Sequence, residues 1–286
     1  MEYFSLKCFI EVVRTGSFSK AAHKLFRTQP AISLQIRKLE KELKQPLLDR
    51  YKKHIVLTEK GKFLYEQSKE LLDRLDDLKR LTSRAATEPQ GPLTIATNLS
   101  LINNLLPPVI GEFHKRYPQV KVVLLNLKSK DIAAAILEGN ADLGVGYLLE
   151  KQRIIESIKI RSANFFLINK RGASKNIKDI LTGPFVHFEA GVELRSYIEK
   201  HLKIKPTLTV AMELPSIESI LHYVEHGFGW SVLPDFSIAD YWTKRIEAKQ
   251  LRYLIPPIDI CAYVHLKRIL PKAAEKFLEI LRKTKT

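Results

Sequence analysis

Some side chains in this chain have types and spacings that chemistry could use. His222-Tyr223-Val224-Glu225-His226 sets two imidazoles four residues apart. On a helix that spacing turns both rings toward one zinc ion, with the glutamate as base. A zinc-dependent hydrolase using His222, Glu225 and His226 is therefore the alternative to weigh. Against it, nothing supplies a third ligand, Gly227 ends the helix directly after His226, and five-residue matches often arise by chance. Hydroxyl residues precede several apolar helical stretches: Thr97-Asn98-Leu99-Ser100, Lys128-Ser129-Lys130 and Pro215-Ser216. A helix N-terminus carries unpaired N–H groups and the positive end of a dipole, so such a hydroxyl either caps the helix or helps it bind an anion. Both readings stay open at this point. Finally, Gln29, Ser33, Leu34 and Arg37 recur on one face of a single helix. Glutamine can bind adenine through two hydrogen bonds and serine can serve either base type, so this face could read DNA. No Gly-x-Ser-x-Gly, phosphate-binding loop or dinucleotide fingerprint occurs; no enzyme, no cofactor and no metal site are expected.

The elements that must position these residues follow from pattern. Phe4, Leu6, Phe9, Ile10 and Val13 recur at helical spacing, and Thr15-Gly16-Ser17 stops that helix and caps the next. The second helix is expected over about Phe18 to Phe26, then a short break, then a third with Pro30 in its first turn, where a missing N–H costs nothing. Ile32, Ile36, Leu39 and Leu43 give that third helix a buried stripe, leaving Gln29, Ser33, Leu34 and Arg37 opposite. A helix, a tight turn and a second helix with Pro near its start is the arrangement that presents a recognition helix to the major groove. A basic hairpin, Leu47–Leu57, comes next, with Arg50, Lys52 and Lys53 placed to grip phosphate. Thr58 then caps a long helix whose Leu64, Ser68, Leu71, Leu75 and Leu78 form a short a/d seam. Dimerisation through Leu64, Leu71, Leu75 and Leu78 is the natural reading, although Leu72 and Leu81 widen the stripe as packing within one domain would. Thr87-Glu88-Pro89-Gln90-Gly91-Pro92 reads as a linker, and beyond it strand-length apolar runs alternate with amphipathic helices, the mark of an α/β domain with largely parallel sheets.

Charge separates the two parts. The 286 residues carry a net charge of +16. Between Arg14 and Lys62 stand 13 Lys/Arg against 4 Asp/Glu, whereas the 200 positions from residue 87 onward hold 28 basic and 20 acidic residues. The N-terminal part is the candidate for a polyanion, with double-stranded DNA ahead of a membrane because no lipid-facing apolar stripe accompanies the charge. Only Cys8 and Cys261 occur, so no disulfide framework or Cys-x-x-Cys site can form, and a reducing cytoplasm fits best. No secretory leader and no membrane span is expected.

Gly16-Ser17-Phe18-Ser19-Lys20-Ala21-Ala22, Leu25, Thr28-Gln29-Pro30-Ala31-Ile32-Ser33-Leu34-Gln35-Ile36 and Leu39-Glu40, followed by Leu57-Thr58-Glu59-Lys60-Gly61, closely resemble the helix-turn-helix and linker-helix signature of the LysR-type transcriptional regulators. The resemblance is strong over residues 1 to about 86. It continues in layout, in Glu138-Gly139-Asn140-Ala141-Asp142-Leu143-Gly144 and in Gly227-Phe228-Gly229-Trp230-Ser231-Val232-Leu233-Pro234. Leu34 stands where many members carry Arg, and Leu48 where many carry Phe. The first departure puts the base preference in question; the second is a core exchange.

The resemblance implies a mixed fold: an all-α winged helix-turn-helix with a long linker helix, then an α/β effector domain of two lobes like the periplasmic binding proteins. The expected division is 1–58 for DNA binding, 59–91 for the linker and dimerisation helix, and 92–286 for effector binding. Lobe one would take 92–162 and 266–286 and lobe two 163–265, tied by strands near Ile160–Phe166 and Cys261–His265. The DNA contacts would be Thr28, Gln29, Pro30, Ser33, Leu34, Arg37, Arg50, Lys52 and Lys53. A small, anionic effector would meet Thr97, Ser100 and Ser129, with Lys128 or Lys130 as charge partner, and the loop at Glu189 together with Arg195. The resemblance also implies a homodimer or dimer of dimers acting on RNA polymerase at promoters.

Overall fold

A computed structural model of the chain describes residues 2–49, 55–84, 88–147, 152–173, 176–202, 210–238, 240–251 and 254–283. It divides into two units, residues 1–82 and 83–286.

The first unit opens with α1 (Tyr3–Thr15), α2 (Phe18–Lys24) and α3 (Gln29–Leu43). Leu6, Phe9 and Val12 from α1, Ala21 and Ala22 from α2, and Ile32, Ile36 and Leu39 from α3 make one buried cluster, as the periodicity requires. Ser17 caps α2 through the Lys20 N–H. That helix stops at Lys24, two residues before the expected end, because Phe26 takes a left-handed φ of 54° that a helix cannot contain. Beyond α3, β1 (Leu48–Asp49) pairs antiparallel with β2 (Val56–Leu57), the base of the expected hairpin. Glu40 fastens this turn to α3: its Oε1 accepts the N–H groups of Leu47 and Leu48 at 3.0 and 3.4 Å.

Helix α4 (Glu59–Arg84) completes the unit. The Thr58 hydroxyl accepts the Gly61 N–H at 2.9 Å and donates to the Pro46 carbonyl at 2.8 Å, capping the helix and tying it to the β1 turn. Gly61 is obligatory here, since a Cβ would lie 2.1 Å from the Leu47 carbonyl oxygen. The Thr-x-x-Gly of the sequence signature is thus a cap followed by a backbone close approach. Leu64 packs partly on the helix-turn-helix core and Ser68 is buried, whereas Leu71 and Leu78 are exposed and Leu75 half-buried.

In the second unit β3 (Gly91–Thr97) leads to α5 (Leu99–Asn104), α6 (Leu106–Arg116), β4 (Val120–Asn126), α7 (Ser129–Leu137) and β5 (Leu143–Tyr147). β6 (Ile155–Ala163) continues through Asn164 into β7 (Phe165–Lys170), followed by α8 (Ile177–Thr182), β8 (Phe185–Phe188), α9 (Glu193–Leu202), β9 (Val210–Leu214), α10 (Ile217–Glu225) and β10 (Ser231–Pro234). After α11 (Asp240–Thr243) and β11 (Ile246–Gln250), β12 (Ile258–His265) and α12 (Lys272–Lys283) close the chain.

The first sheet has the order β4-β3-β5-β12-β6, and the second region holds β10-β7-β11 and β8-β9. A bridge between Phe185 and Trp230 and the bond from Val186 N–H to the Trp230 carbonyl join the latter two sheets. The sheets are mixed rather than largely parallel: β3 runs parallel to β4 and β5, and β8 to β9, but β12, β7, β10 and β11 pair antiparallel. β12 returns from the second region between β5 and β6, so the whole of 258–265 belongs to the first sheet, where the expected division put it in lobe two. The crossovers therefore fall at Asn164 and in the segment before Ile258. A glycine lets α7 approach this sheet, because a Cβ on Gly144 would come within 2.7 Å of Ile132 Cγ2. The C-terminal α12 packs on α6 through an edge-on Phe113–Phe277 pair, 5.5 Å between centroids.

Candidate functional site

The outer face of α3 is set by its inner one. With Ile32, Ile36 and Leu39 held in the core, Thr28, Gln29, Pro30, Leu34 and Arg37 are exposed and Ser33 is half-buried beside them. Gln35 is turned aside, its Oε1 accepting the Ser5 hydroxyl at 2.8 Å, and so locks α3 to α1. Pro30 lies in the first turn. The exposed face therefore offers an amide, two hydroxyls, a guanidinium and, at Leu34, an apolar surface of the kind that meets a thymine methyl. Arg50, Lys52 and Lys53 lie outside the described residues.

The second site is a cleft of about 290 Å³ between the two sheet regions. Asn98, Ser100, Lys128 and Tyr147 line it from the first, and Phe188, Glu193, Ser216 and Glu218 from the second. Tyr147, at the end of β5, shares a 2.9 Å hydrogen bond with the Ser100 hydroxyl. Burial is the main force that pushes the Tyr147 phenol well above its ordinary range, so it stays a neutral donor. Two polar links cross the cleft: the Ser129 N–H donates to Glu193 Oε1, and the Asn104 amide to Glu218 Oε1, each at 2.9 Å.

The candidates named from sequence distribute unevenly around this cleft. Ser100 and Lys128 line it. Thr97 is wholly buried at the end of β3, and Ser129 is buried at the start of α7; neither lines the cleft, and neither side-chain oxygen has a hydrogen-bond partner. Lys130 and Glu189 are exposed outside the lining. Arg195 is also outside it, because its guanidinium is already engaged by Glu199 at 2.8 Å, Glu213 at 2.7 Å and the Phe188 carbonyl at 2.9 Å. Of the hydroxyls before helices, Ser216 is a plain cap of α10, accepting the Ser219 N–H, while α5 is capped by Asn98 rather than by Thr97 or Ser100.

Asn98, Tyr147, Glu193 and Glu218 were not singled out from sequence. Strand ends and helix starts on opposite sides of a crevice are where such sheets bind ligands, so Asn98 and Tyr147 carried a positional signal. Glu193 and Glu218 carried none, because their roles depend on residues 64 and 114 positions away.

His187 is buried on β8 against Phe185, and neither ring nitrogen makes a hydrogen bond. Burial pushes its pKa down to about 4, against the pull of Glu199. The His222/Glu225/His226 group does not assemble as a metal site. His226 Nδ1 bonds the His222 carbonyl, Glu225 is paired with Arg245 at 2.5 Å, and no group of three metal-binding side chains exists among the described residues.

A winged helix-turn-helix with an outward recognition helix, joined in one chain to a two-lobed α/β unit with a cleft between its lobes, defines a ligand-responsive DNA-binding regulator. Comparison with known proteins agrees. Residues 4–62 match the family described as bacterial regulatory helix-turn-helix protein, lysR family, and residues 86–286 match the LysR substrate binding domain. The chain belongs to the LysR family of transcriptional regulators. It is 30% identical over 301 residues to the HTH-type transcriptional regulator MJ0300 of Methanocaldococcus jannaschii, covering 99% of this chain and 98% of that protein. With the HTH-type transcriptional activator CmpR of Synechocystis it shares 28% over 244 residues, 81% of this chain and 78% of the relative. A full-length OxyR variant from Pseudomonas aeruginosa superimposes with a TM-score of 0.73 at 22% identity, over 99% of this chain and 95% of that one. CbnR in complex with its target DNA does so at 0.60 and 24%, over the whole of both chains. The protein binds DNA and a small-molecule effector and is not an enzyme; the hydrolase alternative finds no support. No helix among the described residues is long and apolar enough to cross a membrane.

Proposed function

We propose that residues 1–58 read an operator through α3 and its wing, and that Gln29 and Ser33 contact base edges while Leu34 meets a thymine methyl. In this reading Thr28, Pro30 and Arg37 position the helix, and Arg50, Lys52 and Lys53 hold phosphate. The observation that carries it is the face of α3, polar and exposed directly opposite a stripe fully committed to the core. Residues 59–91 pair two copies through the seam at Leu71, Leu75 and Leu78, supported by the exposure of Leu71 and Leu78; Leu64 contributes less, since it packs partly on its own domain. A dimer, or a dimer of dimers, then acts on RNA polymerase at promoters in the cytoplasm.

The effector is a small anion held in the cleft beside Ser100, Lys128 and the start of α7, with Thr97 and Ser129 behind them. Its binding shifts the population of lobe arrangements, and α4 carries the change to the paired DNA-binding units. The test is a binding series on operator DNA across salt concentrations. Ser33→Ala relaxes base preference with little change in salt dependence, whereas Lys52→Ala weakens binding to every sequence and lowers the salt slope by about one. The reverse pattern refutes the assignment of α3 and the wing.

A further inference from the structure

Helix α7 is nine residues long, and its N-cap residue Lys128 makes no side-chain cap bond. The exposed N–H groups of such a terminus attract an anion. Here the Ser129 N–H is not open to solvent: Glu193, at the start of α9 on the other side of the cleft, places Oε1 on it at 2.9 Å. Ser129 is 3% exposed, and its hydroxyl, on the first residue of the same helix, has no hydrogen-bond partner of any kind. Among the described residues Glu193 makes no ion pair and no second hydrogen bond. A half-buried carboxylate without a cation, resting on a helix N-terminus beside an unused hydroxyl, is an anion held by an anion seat. That this anion belongs to the chain sets a condition on any other.

We propose that Glu193 is a tethered competitor: its carboxylate occupies the seat at the start of α7, and an oxyanion-bearing effector binds by displacing it. The inference rests on the reading that the cleft takes a small anion. It adds that affinity is set by an internal rival as much as by attractive contacts, because a tethered group competes at the high effective concentration of an intramolecular contact. Displacement also removes one of the two polar links across the cleft and leaves the other, Asn104 to Glu218, in place. Effector binding is thereby coupled to how the two lobes are joined. Lys128 lines the same cleft.

The experiment is a titration of full-length protein with sodium acetate, and separately with sulfate, at fixed ionic strength, following the thermal unfolding midpoint of the α/β unit by tryptophan fluorescence. Wild type, Glu193→Gln and Glu193→Ala are compared. Glu193→Ala empties the seat, so its half-saturating acetate concentration falls about tenfold, the scale of one charge-assisted hydrogen bond. Glu193→Gln keeps a neutral acceptor of the same shape, folds as the parent does, and falls between the two. The retained Asn104–Glu218 link keeps the cleft assembled in both. If wild type binds acetate and both variants bind it no more tightly, Glu193 is a structural cap and the competitor inference fails while the anion reading stands. If none of the three is stabilised by acetate or sulfate, the anion reading itself fails and the inference falls with it.

Discussion

Replacing Gly61 with alanine tests the junction between the DNA-binding core and α4, and its sign is informative. In an unconstrained helix, Gly→Ala stabilises by up to about 1 kcal/mol. At Gly61 the new Cβ would sit 2.1 Å from the Leu47 carbonyl oxygen, 3.0 Å from its carbon and 3.1 Å from Leu57 Cδ2. A normal C···O contact is roughly 3.3 Å or more, so helix and turn must separate by about 1 Å. The Leu47 carbonyl cannot swing aside freely, since it accepts the Thr58 N–H at 3.0 Å. Overpacking of this kind costs about 1–3 kcal/mol, and a lost hydrogen bond adds about 1 kcal/mol. Set against the helix-propensity gain, the expected result is a net loss of about 1–3 kcal/mol in the first unit. Both tryptophans, Trp230 and Trp242, lie in the second unit, so fluorescence reports that unit while ellipticity at 222 nm reports the helices of both. Urea unfolding of the full-length variant should show an early loss of ellipticity with the fluorescence transition unmoved. A variant as stable as the parent, or more so, refutes the close approach and with it the account of the Thr-x-x-Gly signature.

Two further outcomes follow from strain and burial. Phe26 holds a φ of 54° while 87% exposed, so Phe26→Gly relieves a left-handed conformation costing about 1–2 kcal/mol; allowing for glycine's extra unfolded-state entropy, the first unit gains about 0.5–1 kcal/mol, and a loss in urea unfolding would contradict this. His187 has a folded pKa of about 4, below its unfolded value near 6.5, so its neutral form contributes stability that is complete above about pH 6.5 and is lost as pH falls towards 4. Unfolding of the second unit at a series of pH values should show a loss on the order of 3 kcal/mol across that window, removed in His187→Phe; an equal loss in the variant assigns it to other groups.

The DNA-binding half was readable because its information is local. The stripe of Ile32, Ile36 and Leu39, the Ser17 cap and the Pro30 start each lie within a few residues of what they control, and helical periodicity converts them directly into an inner and an outer face. The end of α2 falls two residues before the one apolar spacing predicts, since that spacing does not reveal that Phe26 turns left-handed. The α/β half was legible as a class but not in its pairing. Nothing in the residues of 258–265 distinguishes a lobe-two strand from one that returns between β5 and β6.

The amino-acid order alone determined the recognition helix, the basic N-terminal part, the cap at the start of α4, and the alternation of strands and helices beyond residue 92. These depend on short-range periodicity and on single residues with fixed conformational demands. The tertiary structure alone decided which polar groups meet. It engaged Arg195 with Glu199 and Glu213, made Ser216 a cap and left Ser129 without a partner for its hydroxyl. It also brought Glu193 across 64 positions to the start of α7. Such contacts are set by how two sheets and their crossovers close on one another, and the side chains that take part carry no mark of it in their own neighbourhood.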